Sequence, residues 1–130
     1  MQFAKLTLEE ENIGTHIVSA AYRIHAELGP GLLEKVYEVC LTHELRKSGL
    51  LVARQTDIPI RYDGITFNEG LRLDLLIQNK VIAEIKAVDQ VNPVWQAQVL
   101  SHLKLTNLRL GYLINFNVPL IKDGIKRIIL

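Results

Sequence analysis

The spacing of apolar residues changes its period at Gly49, and this change limits the possible folds more than any other feature of the chain. Upstream, Ile13, Ile17, Ala20, Ala21, Ile24 and Leu28 recur three or four residues apart. That is one apolar stripe along a helix from about Glu9 to Leu28. Leu33, Val36, Tyr37, Cys40, Leu41 and Leu45 repeat the pattern and predict a second helix from about Leu32 to Ser48. Thr7 with Glu10 resembles a capping box, and Gly29-Pro30-Gly31 separates the helices, because proline cannot continue the hydrogen-bond ladder. Downstream of Gly49 the period is two. Val52 to Tyr62 reads as one strand, interrupted or at an edge near Pro59, and Asp63-Gly64 is a hairpin signal before Ile65 to Phe67. Leu71 to Ile77 and Val81 to Ala87 are further strands joined by Gln78, Asn79 and Lys80. Asn92 as cap and Pro93 as first residue open a third helix to about Thr106, followed by a buried strand, Leu110 to Asn115, and a last one, Gly124 to Ile129. The order predicts an α/β fold with a mixed sheet: an antiparallel meander, a crossover helix, then strands.

A chain of 130 residues, 48% hydrophobic and with a formal charge of +1, is expected to form one domain over residues 1–130. Disordered and fibrous classes are excluded by this composition. No apolar run reaches the roughly 18 residues of a membrane span. Met1 to Glu11 lacks the apolar stretch of a signal peptide, and Cys40 has no cysteine to pair with, so a cytoplasmic protein without membrane contact is expected. With charge so nearly balanced, nucleic acid would have to be met by a local basic patch, for which Lys35, Arg54, Arg61, Arg72, Lys86 and Lys104 are candidates.

The chemistry is concentrated in Arg72-Leu73-Asp74-Leu75-Leu76-Ile77 and Val81-Ile82-Ala83-Glu84-Ile85-Lys86. Alternation puts Glu84, Lys86 and Ile82 on one face of their strand and Val81, Ala83 and Ile85 on the other. A three-residue loop over Gln78 to Lys80 pairs Ile77 with Val81, which sets Asp74 opposite Glu84 and Arg72 opposite Lys86; a two-residue turn would send Asp74 to the other face. In the first register two carboxylates stand about 4.5 to 5.5 Å apart at Cβ, which is destabilising unless a positive charge lies between them. Mg²⁺ or Mn²⁺, which favour hard oxygen ligands, are natural occupants, and Lys86 is placed to stabilise charge on a phosphoryl group. The plainer reading is a lattice of ion pairs among Asp74, Glu84, Arg72 and Lys86 on a wet face, each contributing about 0 to 1 kcal/mol. Leu76 and Ile82 on the same face argue instead for covered, central strands, where charges are paired for a reason.

Asp74 followed ten residues later by Glu84-Ile85-Lys86 resembles the D…(D/E)xK core of the PD-(D/E)XK nuclease superfamily. Gly31-Leu32-Leu33-Glu34-Lys35-Val36-Tyr37 is similar to the motif that names the GxxExxY proteins, a branch of that superfamily. The Glu69 to Leu76 strand and Leu113-Ile114-Asn115-Phe116 fit as well, so the likeness runs from about Ile13 to Ile129. The resemblance implies a restriction-endonuclease-like core and a nuclease that cuts nucleic acid, DNA foremost, through a metal-activated water. It implies a Mg²⁺ or Mn²⁺ ion held by Asp74, Glu84 and the backbone carbonyl of Ile85, with Lys86 beside the attacking water. Glu34 would be an additional acidic residue at the metal, and Gln98 would orient substrate or Lys86, as the glutamine of a Q-x-x-x-Y motif does. His102 stands where that motif has tyrosine and would keep a phosphate contact; Gln96 stands where glutamate is common. Tyr37 and Arg72 are further candidates for substrate contact.

Each residue also has a plainer role. Glu34, in the first turn of a helix, gains about 0.3 to 1 kcal/mol from the macrodipole alone. Tyr37 falls on the core stripe, Gln98 and His102 are four apart on one helical face, and Trp95 reads as a core anchor. Cys40 with His43 does not make a zinc site, and no nucleophilic triad or phosphate-cradling glycine loop is present. The alternative function is a catalytically inactive nuclease-like module that binds nucleic acid or a partner protein. Ile60 to Phe67 leaves an edge on which a second copy could pair as a homodimer.

Overall fold

The computed structural model describes residues 5–130; the part of the N-terminal stretch before residue 5, on which the signal-peptide reading partly rests, lies outside them. Two helices come first, α1 (Leu8–Leu28) and α2 (Glu34–Lys47). Five strands follow, β1 (Val52–Asp57), β2 (Ile60–Tyr62), β3 (Ile65–Phe67), β4 (Arg72–Ile77) and β5 (Val81–Lys86). Then come α3 (Val94–Thr106), β6 (Leu110–Asn115), a 3-10 turn (Ile121–Gly124) and β7 (Ile125–Ile129). Both halves of the capping box at α1 form, Thr7 Oγ1 accepting from the Glu10 N–H and Glu10 Oε1 from the Thr7 N–H. Asn92 Oδ1 accepts from the Val94 N–H, but the cap position of α3 is Pro93, one residue later than expected.

Five strands make a mixed sheet in the order β1-β4-β5-β6-β7. β5 and β6 are parallel, joined by the crossover helix α3, and the other neighbours are antiparallel. α1 and α2 cover one face through Ile13, Ile17, Tyr37, Leu41, Leu75, Ile85 and Ile114. α3 covers the other through Leu73, Ile82, Val99, Leu103 and Leu113. This is the mixed α/β sheet that the element order implied, in the restriction-endonuclease-like arrangement that the resemblance implied. Close contact between α1 and the sheet requires Gly14, where an added Cβ would lie 2.2 Å from the Tyr112 hydroxyl.

Most element ends fall within about one residue of expectation, and two departures are larger. α2 begins at Glu34 rather than near Leu32, because Leu33 keeps extended backbone. The stretch from Val52 to Tyr62 is two strands: Ile58 still donates to the Leu71 carbonyl, but Pro59 has no N–H to follow it. The chain therefore leaves the sheet, and β2 pairs only with β3.

The β4–β5 turn decides the site. Ile77 pairs with Val81, so the loop is the three residues Gln78 to Lys80. Gln78 and Asn79 both take positive φ, and the Lys80 N–H closes the turn on the Ile77 carbonyl. Gln78 is tied at both backbone and side chain to Leu51, its N–H donating to the Leu51 carbonyl and its Oε1 accepting from the Leu51 N–H. Such anchoring disfavours the one-residue slip that would turn Asp74 away.

Candidate active site

Counting along this register brings Asp74 opposite Glu84, yet the ladder between β4 and β5 ends at Leu75 and Ala83. Beyond that point side chains take over from the backbone. Oδ2 of Asp74 accepts from the Ile85 N–H at 2.9 Å, and Oε1 of Glu84 lies 3.4 Å from the Asp74 nitrogen. The irregularity shows in the cores as well. Leu73 packs beneath α3 while Leu75, two residues on, packs beneath α1 and α2, an exchange of faces that a regular strand does not permit. On its other side, β1 pairs with β4 at every position from Val52 to Asp57 except Gln55, the residue opposite Asp74, and Gln55 has φ +48.

Glu84 is buried on the central strand, 8% exposed. Burial pushes its carboxyl up to about 7; the His102 contact opposes the rise, and the neighbouring Asp74 carboxylate adds to it. Nδ1 of His102, on α3, lies 3.6 Å from Glu84 Oε1; it is buried and has no hydrogen-bond partner among the described residues. Lys86, two residues beyond Glu84 on the same face, rests its ammonium 4.8 Å from the centroid of Trp95, at the start of α3. Glu84, Lys86, Trp95, Gln98 and His102 line a cavity of about 20 Å³, room for roughly one water.

Glu34 approaches from the other layer. It is exposed in the first turn of α2, and its carboxyl is raised by burial of its head group and by Asp74, against the lowering influence of Lys86. All three therefore share one electrostatic field. The chain that leaves Lys86 is held by the buried Asn115, whose side chain accepts from the Val88 N–H and donates to the Val88 carbonyl.

Tyr37 and Arg72 stand apart from the other candidates. Tyr37 has no exposed surface. Its hydroxyl donates to the Gly29 carbonyl and accepts from the Leu32 N–H, and its ring stacks on Phe116, so it locks the loop ahead of Glu34 and offers nothing to a substrate. Arg72 does not face Lys86, because the ladder has already ended; it pairs with Asp57 on β1 at 3.0 Å. No ion pair joins Asp74 or Glu84 to Arg72 or Lys86 among the described residues, which removes the lattice reading.

Sequence reasoning missed Glu38 and Gln55 and did not foresee the partner of Arg54. Glu38 is buried one turn beyond Glu34, accepting from Arg54 and Gln55. Its i, i+4 spacing from Glu34 was the available signal; nothing in the sequence marks the backbone of Gln55.

Among the described residues no three His, Cys, Asp or Glu side chains converge into a ready-made metal cage. What does converge is an acid pair with oxygen donors only, the buried member held partly protonated near neutral pH. That donor set fits a hard divalent ion, which uses one or two carboxylates together with waters.

A mixed sheet covered on both faces, with an acid on each of two adjacent strands and a lysine two residues beyond the second, defines a restriction-endonuclease-like nuclease fold. Residues 11–128 match the family model described as PD-(D/E)XK nuclease superfamily, and the chain belongs to that superfamily. Its members are nucleases that generally use divalent metal ions. No curated protein and no solved structure matches the chain.

Proposed function

We propose that the chain is a GxxExxY-type nuclease that hydrolyses phosphodiester bonds of nucleic acid, DNA foremost, with Mg²⁺ or Mn²⁺. The observation that carries this reading is the parting of β4 and β5, which turns Asp74 and the buried Glu84 toward one another with Lys86 close by. Asp74, Glu84 and the carbonyl of Ile85 would hold the ion, with Glu34 facing it from α2. In a strand the N–H and C=O of one residue leave on the same edge; the Ile85 N–H faces Asp74, so its carbonyl does too. The ion would polarise a phosphoryl oxygen and acidify a water. Lys86 places positive charge where negative charge grows on the phosphate, and Trp95 fixes its ammonium. Gln98 and His102 border a space large enough for roughly one water beside Glu84 and Lys86. We take residues 1–130 as one domain working in the cytoplasm, with the β2–β3 hairpin and its exposed Tyr62 and Ile65 as an edge for a second copy.

One observation favours the alternative, a module that binds nucleic acid without cutting it: no three-residue cage forms among the described residues. Incubation with single-stranded, double-stranded and branched DNA plus Mg²⁺ or Mn²⁺ separates the two. Cleavage that disappears in both Asp74→Asn and Lys86→Ala is expected. Binding of DNA with no cleavage in any metal selects the module, and cleavage unchanged in the variants assigns the activity to a contaminant.

A further inference from the structure

We propose that Gln55 and Glu38 form a positioning link that aims the Asp74 carboxylate at the divalent ion, an inference that rests on reading Asp74 and Glu84 as its ligands. Glu38 is 6% exposed. Arg54 donates to its Oε2 from Nε at 3.1 Å and from Nη2 at 2.9 Å, while Gln55 donates from Nε2 to its Oε1 at 2.6 Å. Both oxygens of a buried acid are thus satisfied from two consecutive residues of β1, which makes Glu38 a fixed acceptor.

Consecutive strand residues normally point to opposite faces. For Arg54 and Gln55 to reach one carboxylate the pleat must break, and it does: Gln55 takes φ +48, a conformation costly for any residue but glycine. The break falls opposite Asp74, where the β1–β4 register skips a pair. The same Gln55 Nε2 lies 3.5 Å from Asp74 Oδ1, while Asp74 Oδ2 accepts from the Ile85 N–H. Each oxygen of Asp74 therefore meets a donor whose place is set by something else, Gln55 by Glu38 and Ile85 by the central strand. Gln55 is exposed and belongs to neither core, so packing does not account for the strain it carries. Orienting a ligand does.

Calorimetric titration with Mn²⁺, paired with thermal melts of the metal-free protein, tests the link in wild type, Asp74→Asn, Gln55→Gly and Gln55→Met. Gln55→Gly takes the donor from Glu38 Oε1 but relieves the backbone, so its melting temperature should change little while its Mn²⁺ affinity falls about tenfold or more. Gln55→Met keeps the length without the amide and should lose affinity to a similar degree. Unchanged Mn²⁺ affinity in both Gln55 variants, with uptake still lost in Asp74→Asn, overturns the link and leaves Asp74 as a ligand. A lower melting temperature with unchanged affinity makes Gln55 a structural residue and also overturns it. Uptake unchanged in Asp74→Asn removes the ligand reading, and the link with it.

Discussion

The Ile85 N–H donates to Oδ2 of Asp74 at 2.9 Å, so a side chain of β4 takes the place that a β4 carbonyl holds in a regular ladder. Two strands that would otherwise zip closed are held apart at the candidate catalytic residues. Backbone pairing forms the sheet as far as Leu75 and Ala83; past them the acids themselves keep the strands together.

Glu84 bears the cost of this arrangement in the metal-free protein. Its carboxyl, at about 7, lies above the ordinary 4.5, so the folded state binds the proton more tightly than the unfolded chain. The stability this contributes is present in full below about pH 4.5 and is lost as pH rises through 7, a difference of about 3 kcal/mol. Glu84→Gln, neutral at every pH, is expected to be more stable than wild type at pH 8 by about 1 to 3 kcal/mol and close to it at pH 4. Denaturant unfolding at the two pH values checks this; coincident curves at pH 8 would contradict it.

Ion uptake must displace the proton that Glu84 holds near neutrality. The apparent affinity for Mn²⁺ is therefore expected to weaken as pH falls below 7, by about tenfold per pH unit. Titration calorimetry at pH 6 and pH 8, in buffers of different ionisation heat, reads both the affinity and the released proton. Uptake independent of pH would mean that Glu84 is not a ligand.

Tyr37 should prove structural. Tyr37→Phe removes the hydroxyl that serves the Gly29 carbonyl and the Leu32 N–H, and is expected to cost about 1 to 3 kcal/mol of stability with Mn²⁺ affinity unchanged. Denaturant unfolding and titration together measure the two effects. A loss of affinity without a loss of stability would return Tyr37 to the site.

Trp95 is expected to act through Lys86. Trp95→Leu removes the aromatic face beneath the ammonium, worth about 0.5 to 2 kcal/mol, and should slow DNA cleavage roughly 2- to 30-fold while leaving Mn²⁺ binding intact. Single-turnover cleavage rates provide the test, and a rate equal to wild type would rule out the role.

The change of period at Gly49 and the turn residues made the helices, the β6 strand and the shared face of Glu84 and Lys86 legible in advance, because each is decided by local pattern. The hairpin register was legible only as two alternatives. Anchoring of Gln78 to Leu51, a contact across 27 residues, decides between them. Pro59 announced a break, but that the chain would form a separate hairpin depended on where Ile58 found its last partner. Glu34, Gly31 and Tyr37 looked like one motif. In space they divide: Tyr37 secures the loop that contains Gly31, and that loop places Glu34 near Asp74. Arg72 was misplaced because counting assumed that the ladder runs on, when the acids themselves end it. Gln55 could not have been found, since its importance lies in a backbone angle that its side chain does not announce.

The most direct measurement is a crystal of the protein soaked with Mn²⁺ and examined by anomalous scattering. A single strong peak touching carboxylate oxygens of Asp74 and Glu84 and the carbonyl of Ile85 is the expected result. Manganese bound elsewhere, or no peak at a concentration that supports DNA cleavage, would contradict the assignment of these acids as the ion's ligands.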